Sequence, residues 1–186
     1  ETKAVEVGNI FTLGTRFSEA LDLTYQTEKG DKKPVFMGSY CIGPARLMGT
    51  VVEALADDKG IIWPESIAPF KVHLLSLGED ESVKKEADHV YDTLMKKNIE
   101  VLFDDRDEMS PGEKFADADL LGMPYRVVVS ARSMKDLPAG AGNGIEVKKR
   151  NEKKGKVISL DELLKLLATR TLHLESNLLC LIKFTN

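Results

Sequence analysis

The sequence predicts an α/β fold in which a mixed sheet is flanked by helices, and two observations support this prediction. From residue 71 onward, short apolar runs alternate with longer amphipathic segments, in the order strand, helix, strand, helix, strand. This alternation is typical of parallel strands joined by helical crossovers. Two later runs, 145–150 and 156–160, are separated by a polar loop and predict a hairpin, which adds antiparallel pairing.

The first part of the chain, residues 5–58, predicts a strand, a turn, a second strand and a helix. The second strand is predicted at residues 35–40. Pro44 follows at a position where a helix tolerates a missing N–H donor. Apolar residues then recur at helical spacing, namely Leu47, Val51, Val52 and Leu55. Residues 60–69 contain two prolines and predict an extended linker between domains.

The next segment begins the alternating part of the chain. Residues 71–77 predict a buried strand. Residues 81–97 place their apolar side chains on one face of a helix, which Asn98 is suited to end. Residues 99–103 then predict the neighbouring strand.

The remaining elements are predicted mainly from their ends. Ser110 and Glu113 have the spacing of a capping box, so a helix is predicted to start there and to end at Gly122. Residues 125–130 form a β-branched strand, and residues 160–167 predict a short closing helix after the hairpin.

Composition excludes several classes of protein. With 186 residues, 42% hydrophobic and 30% charged, the chain is typical of globular proteins that bury a core. The net charge of -4 argues against a nonspecific nucleic-acid binder, so any RNA site is expected to be a local patch. Cys41 and Cys180 lie far apart and the histidines are scattered, so we predict no metal site and a cytoplasmic location. No apolar run is long enough for a membrane span, so no membrane partner is predicted.

The segment 38–46, GSYCIGPAR, has the composition of a nucleotide-binding turn. Small residues at Gly38, Ser39 and Gly43 allow a flat ligand to lie against the strand. Arg46 follows in the first turn of the predicted helix, where its planar guanidinium can pair with phosphate or stack on a purine. The pattern alone is weak, because glycines at such junctions are most often simple turn residues.

Together with its surroundings, this motif resembles a known family. VGNIFTLGTRFSEAL (7–21) and GIIWPESIAPFKVHLL (60–75) flank it and resemble the end of the catalytic core of bacterial-type prolyl-tRNA synthetases, which are class II aminoacyl-tRNA synthetases. IEVLFDDRDEMSPGEKFADADLLGMPYRVVVSAR (99–132) and GIEVKKRNEKKGKVISLDELL (144–164) resemble the C-terminal anticodon-binding domain of the same family. The resemblance covers nearly everything from residue 5 to residue 167.

The resemblance implies three regions: residues 1–63 as the end of the class II catalytic core, residues 64–170 as the anticodon-binding domain, and residues 171–186 as an unassigned tail. It implies a homodimeric parent enzyme that uses ATP and Mg²⁺ to attach proline to tRNA(Pro). The chain starts without methionine, within a predicted core strand, and lacks the earlier class II motifs. We therefore expect a piece of a longer polypeptide that forms no prolyl-adenylate and binds no cofactor tightly by itself.

In the family, the arginine of the last motif packs on adenine and binds the γ-phosphate, and Arg46 occupies that position as the expected catalytic residue. A surface helix arginine is the alternative. Asn9, which replaces a usual histidine, and Phe11 match the amino-acid pocket, although Phe11 also suits an ordinary core. Cys41 replaces a usual glycine and would crowd a nucleotide if it faces one. The expected nucleotide-binding residues are Gly38, Ser39, Gly43 and Arg46.

Four residues are expected to contact the anticodon, and they follow one predicted strand or start the next helix: Asp104, Asp105, Arg106 and Lys114. Carboxylates can accept hydrogen bonds from guanine N–H groups, and the two cations can contact bases or phosphates. We expect loss of Arg106 to relax discrimination at one anticodon position. The alternative is a solvated acidic turn with internal ion pairs.

A basic cluster occupies the predicted hairpin, and three of its members are expected to bind tRNA phosphates: Lys148, Lys149 and Arg150. We expect loss of Lys149 to weaken the binding of all tRNAs alike. Runs of charge are usually solvated surfaces, but this one stands out in an acidic chain.

A second hypothesis is a non-catalytic nucleic-acid-binding accessory module built on the synthetase fold. Asn9, Cys41 and the missing upstream motifs favour it. The intact Arg46 and the anticodon-domain motifs favour the ligase.

Overall fold

The computed structural model describes residues 4–137 and 142–168. The chain divides into two compact units, Glu1–Ala54 and Leu55–Asn186. The sequence-based boundary lies slightly later, between residues 63 and 64. The predicted tail, 171–186, and the last two residues of the predicted anticodon-binding domain lie outside the described residues.

From residue 4 onward, the first unit contains two small antiparallel sheets and two helices. One sheet pairs β1 (Gly8–Gly14) with β4 (Met37–Ile42), and the other pairs β2 (Thr24–Gln26) with β3 (Lys32–Pro34). The helices are α1 (Arg16–Ala20) and α2 (Pro44–Leu55). The strand predicted at 35–40 is thus found two residues later. The sequence does not predict α1 or the β2–β3 hairpin, because neither is long enough to display a period.

The β1–β4 ribbon leaves apolar side chains exposed on both faces. Ile10 and Phe11 are adjacent in β1, so they point to opposite faces, and both are more than half exposed. Among the described residues of the first unit, Val51 is the one hydrophobic side chain that is buried. The first unit by itself therefore buries little apolar surface.

In the residues that the structure describes, the second unit is an α/β domain with five strands and three helices. The strands are β5 (Val72–Leu77), β6 (Val101–Asp104), β7 (Tyr125–Ser130), β8 (Ile145–Lys149) and β9 (Lys156–Ile158). The helices are α3 (Glu81–Lys96), α4 (Pro111–Leu121) and α5 (Leu160–Ala168), and a short 3-10 turn covers Ser133–Lys135.

The sheet of the second unit is mixed, as predicted. Its strand order is β6-β5-β7-β8-β9. β5 pairs in parallel with β6 and β7, while β8 is antiparallel to β7 and to β9. The carboxyl ends of β5, β6 and β7 consequently meet at one edge of the sheet.

Helices cover both faces of this sheet. Side chains such as Leu74 and Val127 join Leu94 of α3 and Leu163 of α5 in the larger core cluster. Leu75 and Val128 point to the other face, where a smaller cluster packs against Ala118 and Phe115 of α4. Successive side chains along β5 and β7 point to opposite faces of the sheet. One face is therefore covered by α4, and the other is covered by α3 and α5.

The segment that the sequence predicts as a linker is partly attached to the second unit. Ile61 N donates to the backbone oxygen of Leu120 at 3.1 Å, and Trp63 N donates to that of Gly122 at 3.1 Å. Residues 57–63, which we call the strap, are thus hydrogen-bonded to the end of α4. At the start of the strap, the Arg150 guanidinium donates to both carboxylate oxygens of Asp57 at 2.8 and 2.6 Å.

Candidate functional site

The carboxyl edge of the parallel strands contains a cavity of about 330 Å³. It is lined by the end of β5, the loop after β6 and the start of α4, including Ser76, Gly78, Arg106, Ser110 and Lys114. Residues that follow β6 and residues that start α4 thus line one cavity, as their predicted positions at one end of the sheet imply.

Arg106 lies at the centre of an ionic network at this edge. Its Nε and Nη2 atoms donate to the two carboxylate oxygens of Asp104 at 2.9 and 2.7 Å. Nη2 also donates to Asp117 at 2.8 Å. These bonds use the Nε hydrogen and both hydrogens of Nη2, and the described residues give Nη1 no acceptor. The two carboxylates hold the side chain in one orientation, and the side chain remains 47% exposed.

Asp104 and Lys114 support Arg106 from the interior. The Asp104 side chain is 5% exposed, and the hydrogen bond from Arg106 is the main cause that lowers its pKa below the ordinary value. Lys114 is buried, and its Nζ donates to the backbone oxygen of Ser76 at 2.8 Å and lies 3.9 Å from the Asp104 carboxylate. A buried carboxylate with two cationic neighbours remains ionised, which fixes the position of both cations.

The four residues predicted to contact the anticodon therefore have different surroundings. Asp105 and Arg106 are exposed, whereas Asp104 and Lys114 are buried and hydrogen-bonded within the domain. Direct contact with RNA stays a prediction for all four. For Asp104 and Lys114, burial favours a supporting role in which they hold Arg106 in place.

The sequence prediction missed Asp117, which is the second carboxylate bound to Arg106. Asp117 lies on α4, one turn after Lys114, so both side chains are on the same side of the helix. If Lys114 lies at this edge, a residue three positions later in the same helix lies there too. This spacing is the sequence signal that could have identified Asp117.

Next to this network lies a smaller cavity of about 230 Å³, lined by His73, Leu102, Arg106 and Asp117 among others. His73 is 3% exposed, and its Nδ1 atom has no hydrogen-bond partner. Burial lowers the pKa of His73, and Arg106 and Arg126 act in the same direction, while Asp104 and Asp117 oppose them. His73 is therefore neutral in the folded domain near pH 7.

Protonation of His73 is expected to make the domain less stable in acid. The unfolded chain binds a proton as the pH falls below about 6.5, and the folded chain binds it only at lower pH. The free energy of unfolding should therefore fall by up to about 1.4 kcal/mol per pH unit below pH 6.5 from this group alone. Urea unfolding of the chain and of His73→Leu between pH 8 and pH 5 measures this contribution. Parallel pH profiles for the two proteins would contradict it.

The predicted basic stretch in β8 is divided by the structure into three different environments. Lys148 lies opposite Arg126 in the β7–β8 register, so the two side chains share a face. The ammonium of Lys149 lies 5.8 Å from the centre of the Tyr125 ring and 3.9 Å from a carboxylate oxygen of Glu152. Arg150 is buried and paired with Asp57.

In the first unit, the register of β1 and β4 groups most of the residues predicted to bind proline or nucleotide. Asn9 is opposite Cys41 and Phe11 is opposite Ser39, so these four side chains share one face of the ribbon. Gly38 belongs to the opposite face, and a Cβ there would contact the Tyr40 ring at 3.3 Å. Cys41 is exposed on the same face as Ser39 and does not point into a core.

Arg46 lies in the first turn of α2 and is 61% exposed. Its Nη1 donates to the backbone oxygen of Glu6 at 3.0 Å and lies 3.6 Å from the Glu6 carboxylate. Contact of Arg46 and of this face of the ribbon with a nucleotide stays a prediction. Among the described residues, no three His, Cys, Asp or Glu side chains are grouped so that they could hold a metal ion.

Comparison with known proteins identifies the second unit. A sequence profile described as "Anticodon binding domain" matches residues 71–170, which is more than half of the chain. The chain belongs to this anticodon-binding domain family. The match spans the sheet, the Arg106 network and the basic stretch of β8.

Curated relatives extend the likeness across both units. The proline–tRNA ligase of Persephonella marina is 48% identical over 165 residues, which cover 88% of this chain and 28% of that protein. The proline–tRNA ligase of Bacillus pumilus is 44% identical over 163 residues, covering 87% of this chain and 27% of that protein. The chain thus spans little more than a quarter of the length of these relatives. The predicted resemblance to prolyl-tRNA synthetases is confirmed.

A solved structure shares the fold. It is the prolyl-tRNA synthetase from Cryptosporidium parvum complexed with L-proline and AMP, with a TM-score of 0.72 and 24% identity over 89% of this chain and 33% of that chain. The predicted mixed α/β fold is confirmed by this likeness. Within the described residues, none of the helices combines the length and the apolar character needed to cross a bilayer.

Proposed function

We propose that this chain is the C-terminal part of a proline–tRNA ligase and that its second unit binds the anticodon loop of tRNA(Pro). Arg106 is the base-contacting residue in this proposal, and Asp105 lies beside it. Asp104, Lys114 and Asp117 position Arg106. Lys148 contributes a contact to the RNA backbone.

The observation that carries the proposal is the orientation of Arg106 at the carboxyl edge of the sheet. Two carboxylates hold its Nε and Nη2 atoms, while Nη1 has no acceptor among the described residues. An arginine held in this way keeps both Nη1 hydrogens available for a base acceptor such as O6 or N7 of guanine, and its orientation is already fixed before binding. Single-stranded RNA loops expose the edges of their unpaired bases, so these acceptors are accessible in an anticodon loop.

The activity of the whole enzyme is a further part of the proposal. The parent protein activates proline with ATP and Mg²⁺ and transfers it to tRNA(Pro) in the cytoplasm, as a homodimer. In it, Arg46 and Ser39 face the nucleotide, with Gly38 and Gly43 in the same turn, and Asn9 and Phe11 line the amino-acid pocket. The support is the identity to proline–tRNA ligases and the shared face of Asn9, Phe11 and Ser39.

Fluorescence anisotropy with the full chain tests the tRNA proposal. A labelled anticodon stem-loop of tRNA(Pro) is titrated with protein and compared with the same RNA in which the anticodon guanines are replaced. Loss of one base-edge contact should weaken binding by about 1–3 kcal/mol, or roughly 5- to 150-fold. Equal affinity for both RNAs would refute anticodon recognition.

The accessory-module hypothesis is supported by Asn9 and by the exposed Cys41 on the proposed ligand face. The two hypotheses differ in the coding sequence directly upstream of Glu1. The ligase requires the earlier class II motifs in the same reading frame, and the accessory module does not.

A further inference from the structure

A second group of charged side chains lies on the face of the sheet that carries α4. Arg126 of β7 and Lys148 of β8 are directly opposite each other, so their side chains point to this face. The Arg126 guanidinium lies 4.5 Å from the centre of the Phe115 ring, and its Nη1 donates to the Asp119 carboxylate at 3.2 Å. Both Phe115 and Asp119 belong to α4.

Hydrogen bonds connect this pair to the strap. The Nε atom of Arg150 donates to the backbone oxygen of Asp119 at 3.0 Å, and its Nη atoms donate to the Asp57 carboxylate. The backbone N–H of Lys59 also donates to Asp57, at 2.9 Å. The chain of contacts therefore runs from Lys59 through Asp57, Arg150 and Asp119 to Arg126.

This group contains more cationic side chains than carboxylates in contact with them. The cations are Lys59, Arg126, Lys148 and Arg150, while the carboxylates in contact with them are those of Asp57 and Asp119. Asp58 is exposed, and it raises the pKa of Arg150 only through the electrostatic effect of its charge.

Two donors in the group are left without acceptors. The ammonium of Lys148 has no hydrogen bond or ion pair with any described residue, and the buried Nε of Arg126 has no acceptor. Burial lowers the pKa of Lys148, and Arg126, Lys59 and Arg150 lower it further, opposed by Asp119. A partly desolvated ammonium among other cations is costly unless an anion approaches it.

We propose that Lys148, Lys59 and Arg126 form a binding site for one phosphate group of the tRNA backbone. The RNA identity of the ligand rests on the proposed function, whereas the anion site rests on the charges described above. Lysine binds phosphate as a point charge, and Arg126 adds a fixed positive field behind it. Lys149 and Arg150 are already engaged with Tyr125, Glu152 and Asp57. This assigns the phosphate contact to Lys148 among the three residues that the sequence proposes, Lys148, Lys149 and Arg150.

The RNA test compares Lys148→Gln with Lys149→Gln in the full chain, using anisotropy titrations of the anticodon stem-loop at several salt concentrations. Lys148→Gln should lower the affinity about three- to tenfold and reduce the slope of log K against log salt by about 0.7–0.9. The loss should be the same for RNAs with and without the anticodon guanines. Lys149 is the neighbouring residue on the other face of the sheet. Lys149→Gln should therefore change the affinity and the salt slope less than Lys148→Gln does. Lys59→Gln should reproduce part of the Lys148 effect.

A titration with inorganic phosphate separates this site from anticodon recognition. Saturable shifts of the amide NMR signals of residues 59 and 148, lost in Lys148→Gln, would support the anion site even if the RNA failed to bind. If the RNA binds with anticodon discrimination while Lys148→Gln leaves affinity and salt slope unchanged, the proposal is overturned and the proposed function stands. Binding of inorganic phosphate without any effect of Lys148→Gln on RNA would also overturn it, because the site would then serve a free anion.

Discussion

Replacement of Gly122 by alanine is expected to destabilise the second unit by about 2–4 kcal/mol. Gly122 ends α4 in the left-handed region, with φ of 71°. A Cβ at this position would lie 1.8 Å from the backbone oxygen of Ile61. The neighbour is backbone within the strap, so it cannot rotate away as a flexible side chain would. The strap would have to leave the end of α4, which breaks its hydrogen bonds to Leu120 and Gly122.

Urea unfolding followed by tryptophan fluorescence measures this effect directly. Trp63 is the one tryptophan in the chain, and its backbone N–H is bonded to Gly122. Gly112→Ala is the matched control, because Gly112 lies in the same helix and a Cβ there meets nothing closer than 4.0 Å. The control should be neutral or stabilising by up to about 1 kcal/mol. Equal midpoints for Gly122→Ala and Gly112→Ala would show that the strap is not held against α4 in solution.

The ends of α4 illustrate what local sequence chemistry predicts well. Ser110 Oγ accepts a hydrogen bond from Glu113 N, and the Glu113 carboxylate accepts one from Ser110 N, as the capping-box spacing predicts. Gly122 ends the helix as predicted. Both signals depend only on neighbours within one helical turn, so they can be recognised without knowledge of the fold.

The strap illustrates the opposite case. It overlaps segment 60–69, whose two prolines predict a linker. The partners of the strap are Leu120, Gly122 and Arg150, which lie far away in sequence. Nothing in the local pattern distinguishes an extended segment in solvent from one that is bonded to a helix end. The pairing requires the positions of α4 and β8, which only the folded sheet supplies.

The candidate site was predictable in location but not in the role of each residue. The rule that parallel strands place their carboxyl ends at one edge brings Arg106 and Lys114 together. Which charged side chains are buried there depends on packing, and lysine is seldom buried, so the interior position of Lys114 is contrary to expectation. Arg126 is a charged residue within an otherwise apolar strand. This feature of the sequence could have indicated the second cationic group, but the prediction did not use it.

The prediction with the largest expected effect on binding concerns Arg106. Arg106→Lys keeps the positive charge beside Asp104, which is necessary because removing it would leave a buried carboxylate without its main partner. The ammonium of lysine has three hydrogens, so it cannot replace the three hydrogen bonds to the two carboxylates and also present the two donors that Nη1 offers. We expect binding of the anticodon stem-loop to weaken by about 1–3 kcal/mol, with discrimination lost at one anticodon guanine.

A double-mutant cycle between the protein and the RNA isolates this contact. The affinities of the full chain and of Arg106→Lys are measured for the normal stem-loop and for RNAs in which one guanine at a time is replaced. The expected coupling energy is at least about 1 kcal/mol for one guanine and near zero for the others. Lys96→Ala is the control. Lys96 is exposed in the last turn of α3, and this turn lies at the opposite edge of the sheet from Arg106. The Lys96 variant should therefore show no coupling with any guanine. If Arg106→Lys weakens all the RNAs equally, Arg106 contacts the backbone and the base recognition assigned to it is wrong.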